Sequence, residues 1–181
     1  MRRSRLSSGA IARGGVADDS DFLFFKQLLS ADQATFDITS IPDGYSAIVL
    51  ELYLRSDYNG GSFDSVGIRF NGDTGVNHHA YHFWGGTGSL GTSMQYQCSC
   101  AGSGANDFSQ IDAKIFRYAD LTGYKTLTGS SYHLRDNAGT TFAEVVGGAW
   151  FSTAALNRIT VLPISGANWK AGSACQARLL A

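Results

Sequence analysis

The sequence predicts an all-β domain, an antiparallel two-sheet β-sandwich of jelly-roll-like type with an extended N-terminal arm. Three observations carry this expectation. Apolar residues recur at period two in segment after segment, which sets one residue class on each face of a strand. The chain holds 22 glycines but only 2 prolines, alongside many Tyr, Phe, Thr and Ser, the composition of short strands joined by tight turns. No segment carries a convincing helical period.

Residues 1–21 form the arm, rich in Arg, Ser, Gly and Ala, with no period and few apolar anchors. Its ordinary reading is a tail, the usual fate of a terminus. From Phe22 the pattern turns to β, and residues 22–181 read as one sandwich domain. Phe22 to Phe25 with Leu28 and Leu29 make a short apolar strand, and Thr35 to Ile38 the next. Ile48, Leu50, Leu52 and Leu54 then alternate with Val49, Glu51, Tyr53 and Arg55. Val66, Ile68 and Phe70 repeat the alternation and run into Asn71-Gly72-Asp73, residues that tolerate positive φ.

Met94 to Cys100 and Ile111 to Ile115 also alternate. Tyr124 to Arg135 reads as a strand pair or one long bent strand, with Gly129 marking a bulge or turn. Thr141 to Phe151, Leu156 to Ile164 and Ala174 to Leu180 complete about nine or ten strands, a spacing typical of sandwiches. Gly85 to Gly91 and Ala101 to Ala105 read as surface loops.

The 181 residues suit one domain, long enough to bury roughly 70% of the unfolded surface. Hydrophobic residues make up 44% and charged residues 16%, which excludes a disordered chain. Charge is uneven: Arg2, Arg3, Arg5 and Arg13 all precede Asp18, the first acid, so a basic arm adjoins an acidic body. Three cysteines, Cys98, Cys100 and Cys175, do not form a disulfide framework. The opening residues lack a secretory apolar core, and no stretch approaches the ~20 apolar residues of a membrane helix. Synthesis in a cytoplasm with reduced thiols follows as the expectation.

Catalytic chemistry finds little footing, and the expectation is a non-enzyme with no catalytic residues, metal or cofactor. His78 and His82 have the outer spacing of H-E-x-x-H, but His79 replaces the glutamate. The neighbouring Tyr81, Phe83 and Trp84 favour a strand, on which four residues span about 13 Å, too far for one ion. A polar, partly exposed edge is the reading for these histidines. Cys98 and Cys100 share an apolar strand face and read as core thiols. There is no G-x-S-x-G elbow and no phosphate loop. Of the two glutamates, Glu51 and Glu144, either would need an Asp across a cleft for glycosidase work; Glu51, outward among core leucines, reads as a solvated or interface carboxylate.

Binding chemistry has two candidates. The arm arginines suit phosphates or acidic protein surface equally, but the arm lacks the aromatics of single-strand binders, so nucleic acid is not the expected partner. Trp84 and the pair Trp150-Phe151 offer rings for a sugar, against the commoner role of such rings in a core.

One set of motifs adds a resemblance. The run Phe36-Asp37-Ile38-Thr39-Ser40-Ile41-Pro42-Asp43-Gly44-Tyr45, the strand Ile48 to Asp57, and Ile68 to Asn77 form its opening block. Tyr118, Tyr124 to Leu127, Gly148, Trp150, Ser152 to Leu156, Ile159, Leu162 and Ala171-Gly172-Ser173 continue it. Together they resemble the small β-sandwich structural domains of tailed-bacteriophage virions, of the decoration and tail-fibre types, over about residues 34–181. The ending Arg178-Leu179-Leu180-Ala181 departs from the tyrosine-glycine close common in that family.

The resemblance implies a virion protein assembled in the host cytoplasm, without membrane contact, and a homotrimer. The main expectation is a capsid decoration protein that binds the major coat protein and stabilises the shell. Arg2, Arg3, Arg5 and Arg13 would tether the arm, and Phe22, Phe24 and Phe25 would bury at a subunit boundary. The alternative is a tail, neck or fibre protein whose sandwich binds a host surface ligand such as a glycan.

Overall fold

A computed structural model describes residues 22–83, 89–102, 104–134 and 141–181. The described chain is all-β, with no helix. Its strands are β1 (Phe22–Leu28), β2 (Phe36–Thr39), β3 (Ala47–Ser56), β4 (Asp64–Phe70), β5 (His78–His82) and β6 (Ser89–Gly91). They continue with β7 (Met94–Cys100), β8 (Ser109–Phe116), β9 (Lys125–Leu134), β10 (Thr141–Trp150), β11 (Arg158–Pro163) and β12 (Ala174–Leu180).

The strands pair in two antiparallel groups. One runs β1-β12-β3-β8-β9-β10-β5-β6 and the other β2-β11-β4-β7. They meet where β3 and β7 pair in parallel through Arg55↔Ser99 and Ser56↔Cys100, so the whole is a mixed sheet.

In β3, β8 and β12 burial follows the period-two pattern, whereas β7, covered on both faces, buries Tyr96 to Cys100 in succession. Ile48, Leu50, Leu52 and Leu54 of β3 are buried, while Glu51 and Tyr53 face outward. In register beside them, β8 buries Ile111, Ala113 and Ile115, and β12 buries Cys175, Ala177 and Leu179. Val66, Ile68 and Phe70 of β4, with Ile159 and Val161 of β11, join the same core cluster. Trp169 is fully buried; its indole N–H donates to the Val161 carbonyl, and its backbone exchanges two hydrogen bonds with Gln33. Core apolar burial of this kind is worth about 25 cal/mol per Å².

β7 belongs to the second group yet lies over β8, β9, β10 and β5 of the first. Its parallel pairing covers only its last residues, which leaves edge N–H groups inside the protein. Side chains satisfy two of them: a Glu144 oxygen accepts the Gln97 N–H, and Ser109 Oγ accepts the Ser99 N–H. Buried backbone donors require such partners.

Of the two readings of Tyr124 to Arg135, one long strand holds and the strand pair does not: Lys125–Leu134 is one strand in unbroken register with both neighbours. Two sequence expectations change. Gly129 is neither bulge nor turn. A Cβ there would stand 2.1 Å from the Asp112 carbonyl, so the glycine permits close approach of β8. Ser89 to Gly91, read as loop, pairs with β5 as β6 because the β5 edge offers free ladder positions.

Loops are tied by polar side chains. Asn71 (φ 52°) and Gly72 (φ 68°) make the expected positive-φ turn. The Asn71 side chain then accepts from the N–H of Asn157 and Arg158 and donates to the Ala155 carbonyl. Asp57 and Asp64 hold the loop after β11 by accepting N–H bonds from residues 165–168. Lys125 is completely buried, and its ammonium donates to the carbonyls of Asp120, Gly123 and Thr153. All three ammonium protons are therefore used.

Lys125→Met leaves those three carbonyls unpaired. It should cost about 3 kcal/mol, lowering the thermal midpoint by roughly 6–12 °C for a chain of this size, as read by circular dichroism melting.

Candidate functional site

The predicted partner-binding phenylalanines fall on β1, an edge strand that among the described residues pairs only with β12. The register shifts between Leu23 and Phe25, so Phe24 is the extra residue of a bulge. The bulge turns Phe24 and Phe25 together toward the protein, where both are half-buried against the core. Phe22 stays exposed and stacks on Tyr45 at 6.1 Å. Leu23 and Leu28, absent from the expected set, are exposed as well, Leu28 at 70%. Arg2, Arg3, Arg5 and Arg13 lie outside the described residues.

The histidines separate. His78–His82 is a strand, as their neighbours imply. His78 is no exposed edge residue: it is fully buried, stacked on Trp150 at 6.1 Å, and its Nε2 accepts the Phe70 N–H. Burial pushes its imidazole below the ordinary 6.5, only partly offset by Asp73. His79 faces the other way and stacks on Phe151. Among the described residues no three His, Cys, Asp or Glu side chains gather as metal ligands.

Glu144 has no forecast in its strand pattern, yet it is the most enclosed carboxylate among the described ion pairs. One oxygen accepts from the Gln97 N–H and the Ser131 hydroxyl, and the other lies 3.0 Å from His82 Nδ1. Serine, glutamate and histidine meet here, but Glu144 stands between the other two. A nucleophilic triad needs the histidine in that place. The cluster therefore holds strands together: β10 to β9, β7 and β5.

The thiols of Cys98, Cys100 and Cys175 are all buried, and burial raises those of Cys98 and Cys175 far above a reactive range.

Of the rings considered for sugar, Trp84 lies outside the described residues. Trp150 is 3% exposed and donates its indole N–H to Asp73 at 2.8 Å, so it is a core residue. Phe151 is exposed and packs on Tyr124. Other rings open to solvent: Tyr53, stacked on Phe108 at 4.7 Å, and Tyr132. Their place opposite buried neighbours follows from period two, but their shared row does not, because register joins them across β3, β8 and β9.

No family model, curated protein or solved structure matches this chain.

Two outcomes are expected. Glu144→Leu should cost about 3 kcal/mol, since Gln97 N–H, Ser131 and His82 lose their acceptor; urea unfolding measures it. Acid should weaken the fold in two windows. His78 binds protons less readily folded than unfolded, so stability falls as pH drops below about 6.5. Asp73, held below its ordinary 3.8 by the Trp150 indole and Asn77, contributes stability that is present above that value and lost as pH falls further. His78→Gln should remove the upper window alone in urea midpoints taken from pH 8 to 3.

Proposed function

We propose that this chain is a non-enzymatic structural protein of a tailed-phage virion, a capsid decoration protein that binds the coat shell and stabilises it. The observation that carries the reading is β1. An exposed apolar edge strand invites association unless a partner covers it, and here Phe22, Leu23 and Leu28 follow directly on the basic arm. Arm and edge form one continuous attachment segment. The arginines Arg2, Arg3, Arg5 and Arg13 meet acidic coat surface, and β1 seals against a coat subunit or a second copy in a trimer.

In this reading the two antiparallel groups are the layers of a jelly-roll-like sandwich, supported by β7 lying over four strands of the other group. The residues that carry the resemblance meet one another in the fold. The Tyr118 hydroxyl donates to the Pro42 carbonyl and accepts the Tyr45 N–H. Asp73 holds Trp150, and Asn71 holds the segment after Ser152-Thr153-Ala154. Motif residues distant in sequence thus tie one another's turns. A protein that binds only the assembled shell stabilises it by mass action, and symmetry multiplies weak contacts.

A second reading, a tail, neck or fibre protein binding a host surface glycan, is favoured by the solvent-facing rings Tyr53 and Tyr132.

Copies per purified particle, counted by quantitative mass spectrometry against the major coat protein, separate the readings. Hundreds support decoration; about a dozen or fewer support a tail or neck site; absence from particles defeats both. Removing residues 1–20, or placing serine at Phe22 and Leu23 together, should leave the melting curve intact and abolish attachment to particles.

A further inference from the structure

The outward face of the larger strand group carries two adjoining depressions that follow one another across the strands, together a shallow trough. Register defines two adjacent rows. One reads Leu28, Ala174, Tyr53, Gln110, Tyr132, Ala143 from β1 to β10. The next reads Lys26, Gln176, Glu51, Asp112, Ser130, Val145. Two depressions of about 460 and 440 Å³ lie along these rows and share Gln110 and Asp112 as lining. Each has the size of a small-molecule site. Placed end to end over six strands they extend roughly 24 Å.

We propose that this trough binds a linear, uncharged glycan chain. The lining chemistry selects that ligand. A sugar hydroxyl both donates and accepts, and the trough alternates amides (Gln110, Gln176), carboxylates (Glu51, Asp112) and a hydroxyl (Ser130). Glu51 is already oriented by Gln176 and by the Arg178 guanidinium, so it is an acceptor held in place. Asp112 takes the Gln110 amide at 3.2 Å, which fixes that side chain between the two tyrosines.

Tyr53 and Tyr132 supply the apolar faces that pyranose rings stack on. They are 48% and 51% exposed and stand two strands apart in one row, about 10 Å. Phe108 stacks on Tyr53 and limits its rotation, which reduces the ordering cost of binding.

Other occupants fit less well. Glu51 faces Asp112 at the centre, Arg178 is already paired to Glu51, and Lys26 stands at one end, so the trough offers a phosphate backbone no net positive charge. A protein partner of ordinary kind seeks an interface centre depleted of charge, and this centre is Glu, Asp, Gln and Ser. An extended peptide pairs with an edge, whereas the trough crosses paired strands.

The inference deepens the host-ligand reading and rests on it for biological setting, not for chemistry. Binding is decided without particles and copy number without sugar, so either can fail alone.

The test uses the full chain on an array of bacterial surface polysaccharides with the neutral hexasaccharides of glucose, N-acetylglucosamine and xylose. Titration calorimetry with the best binder follows. Tyr53→Ala and Tyr132→Ala should each weaken binding roughly tenfold, and Gln110→Ala by several-fold, with melting unchanged for Tyr132→Ala and Gln110→Ala and lowered only by a few degrees for Tyr53→Ala, which loses its Phe108 stack. Tyr124→Ala, at the opposite end of the face, should bind as wild type. No binding to any probe overturns the proposal. So does binding that survives both Tyr53→Ala and Tyr132→Ala, or is lost with Tyr124→Ala.

Discussion

The register of β3 between β12 and β8 is the constraint on which the rest depends. Side chains alternate with a period of two, so one choice of register assigns Ile48, Leu50, Leu52 and Leu54 inward and Glu51 and Tyr53 outward. A slip by one residue would exchange the faces and drive Glu51 into the core. The same choice propagates through β8 to β9 and β10, where Leu127 and Val146 point in and Tyr132 and Val145 point out. Core and outward trough are therefore two sides of one decision.

The second constraint is the seam between the strand groups. β3 and β7 share only a short parallel pairing, and beyond it the β7 backbone is an edge that faces protein. Buried backbone groups are costly to leave unpaired, and Glu144, Ser109 and Ser131 stand where an apolar pattern alone would place hydrocarbon. Trp169 closes the same region from the other side, bonded to Gln33 and to Val161. Polar side chains do the corresponding work in the loops: Asn71, Asp57, Asp64, Asp73 and Lys125 each satisfy backbone or indole groups that no ladder reaches.

Interaction surfaces are what remains after these demands are met. The β1 edge has one paired side, and its bulge draws Phe24 and Phe25 back to the core while Phe22 and Leu23 stay outside. The expected boundary set was thus divided by a single extra residue. The aromatic choice for a sugar was likewise redistributed: Trp150 was claimed by the core and by Asp73, whereas Tyr53 and Tyr132 remained in solvent.

Period two and turn chemistry, both local, determined the strands, their buried faces and the Asn71-Gly72 turn, because each rests on side chains near in sequence. The buried fates of Cys98 and Cys100 followed for the same reason. Only tertiary structure decided the burial of His78, the enclosure of Glu144, the continuity of β9 through Gly129 and the pairing of β6. Each depends on which strand lies alongside. Pairing partners here are separated by up to the full length of the described chain, as β1 and β12 are, and no local pattern specifies them. The row that aligns Tyr53, Gln110 and Tyr132 belongs with these, since it exists only after three distant strands have chosen one register.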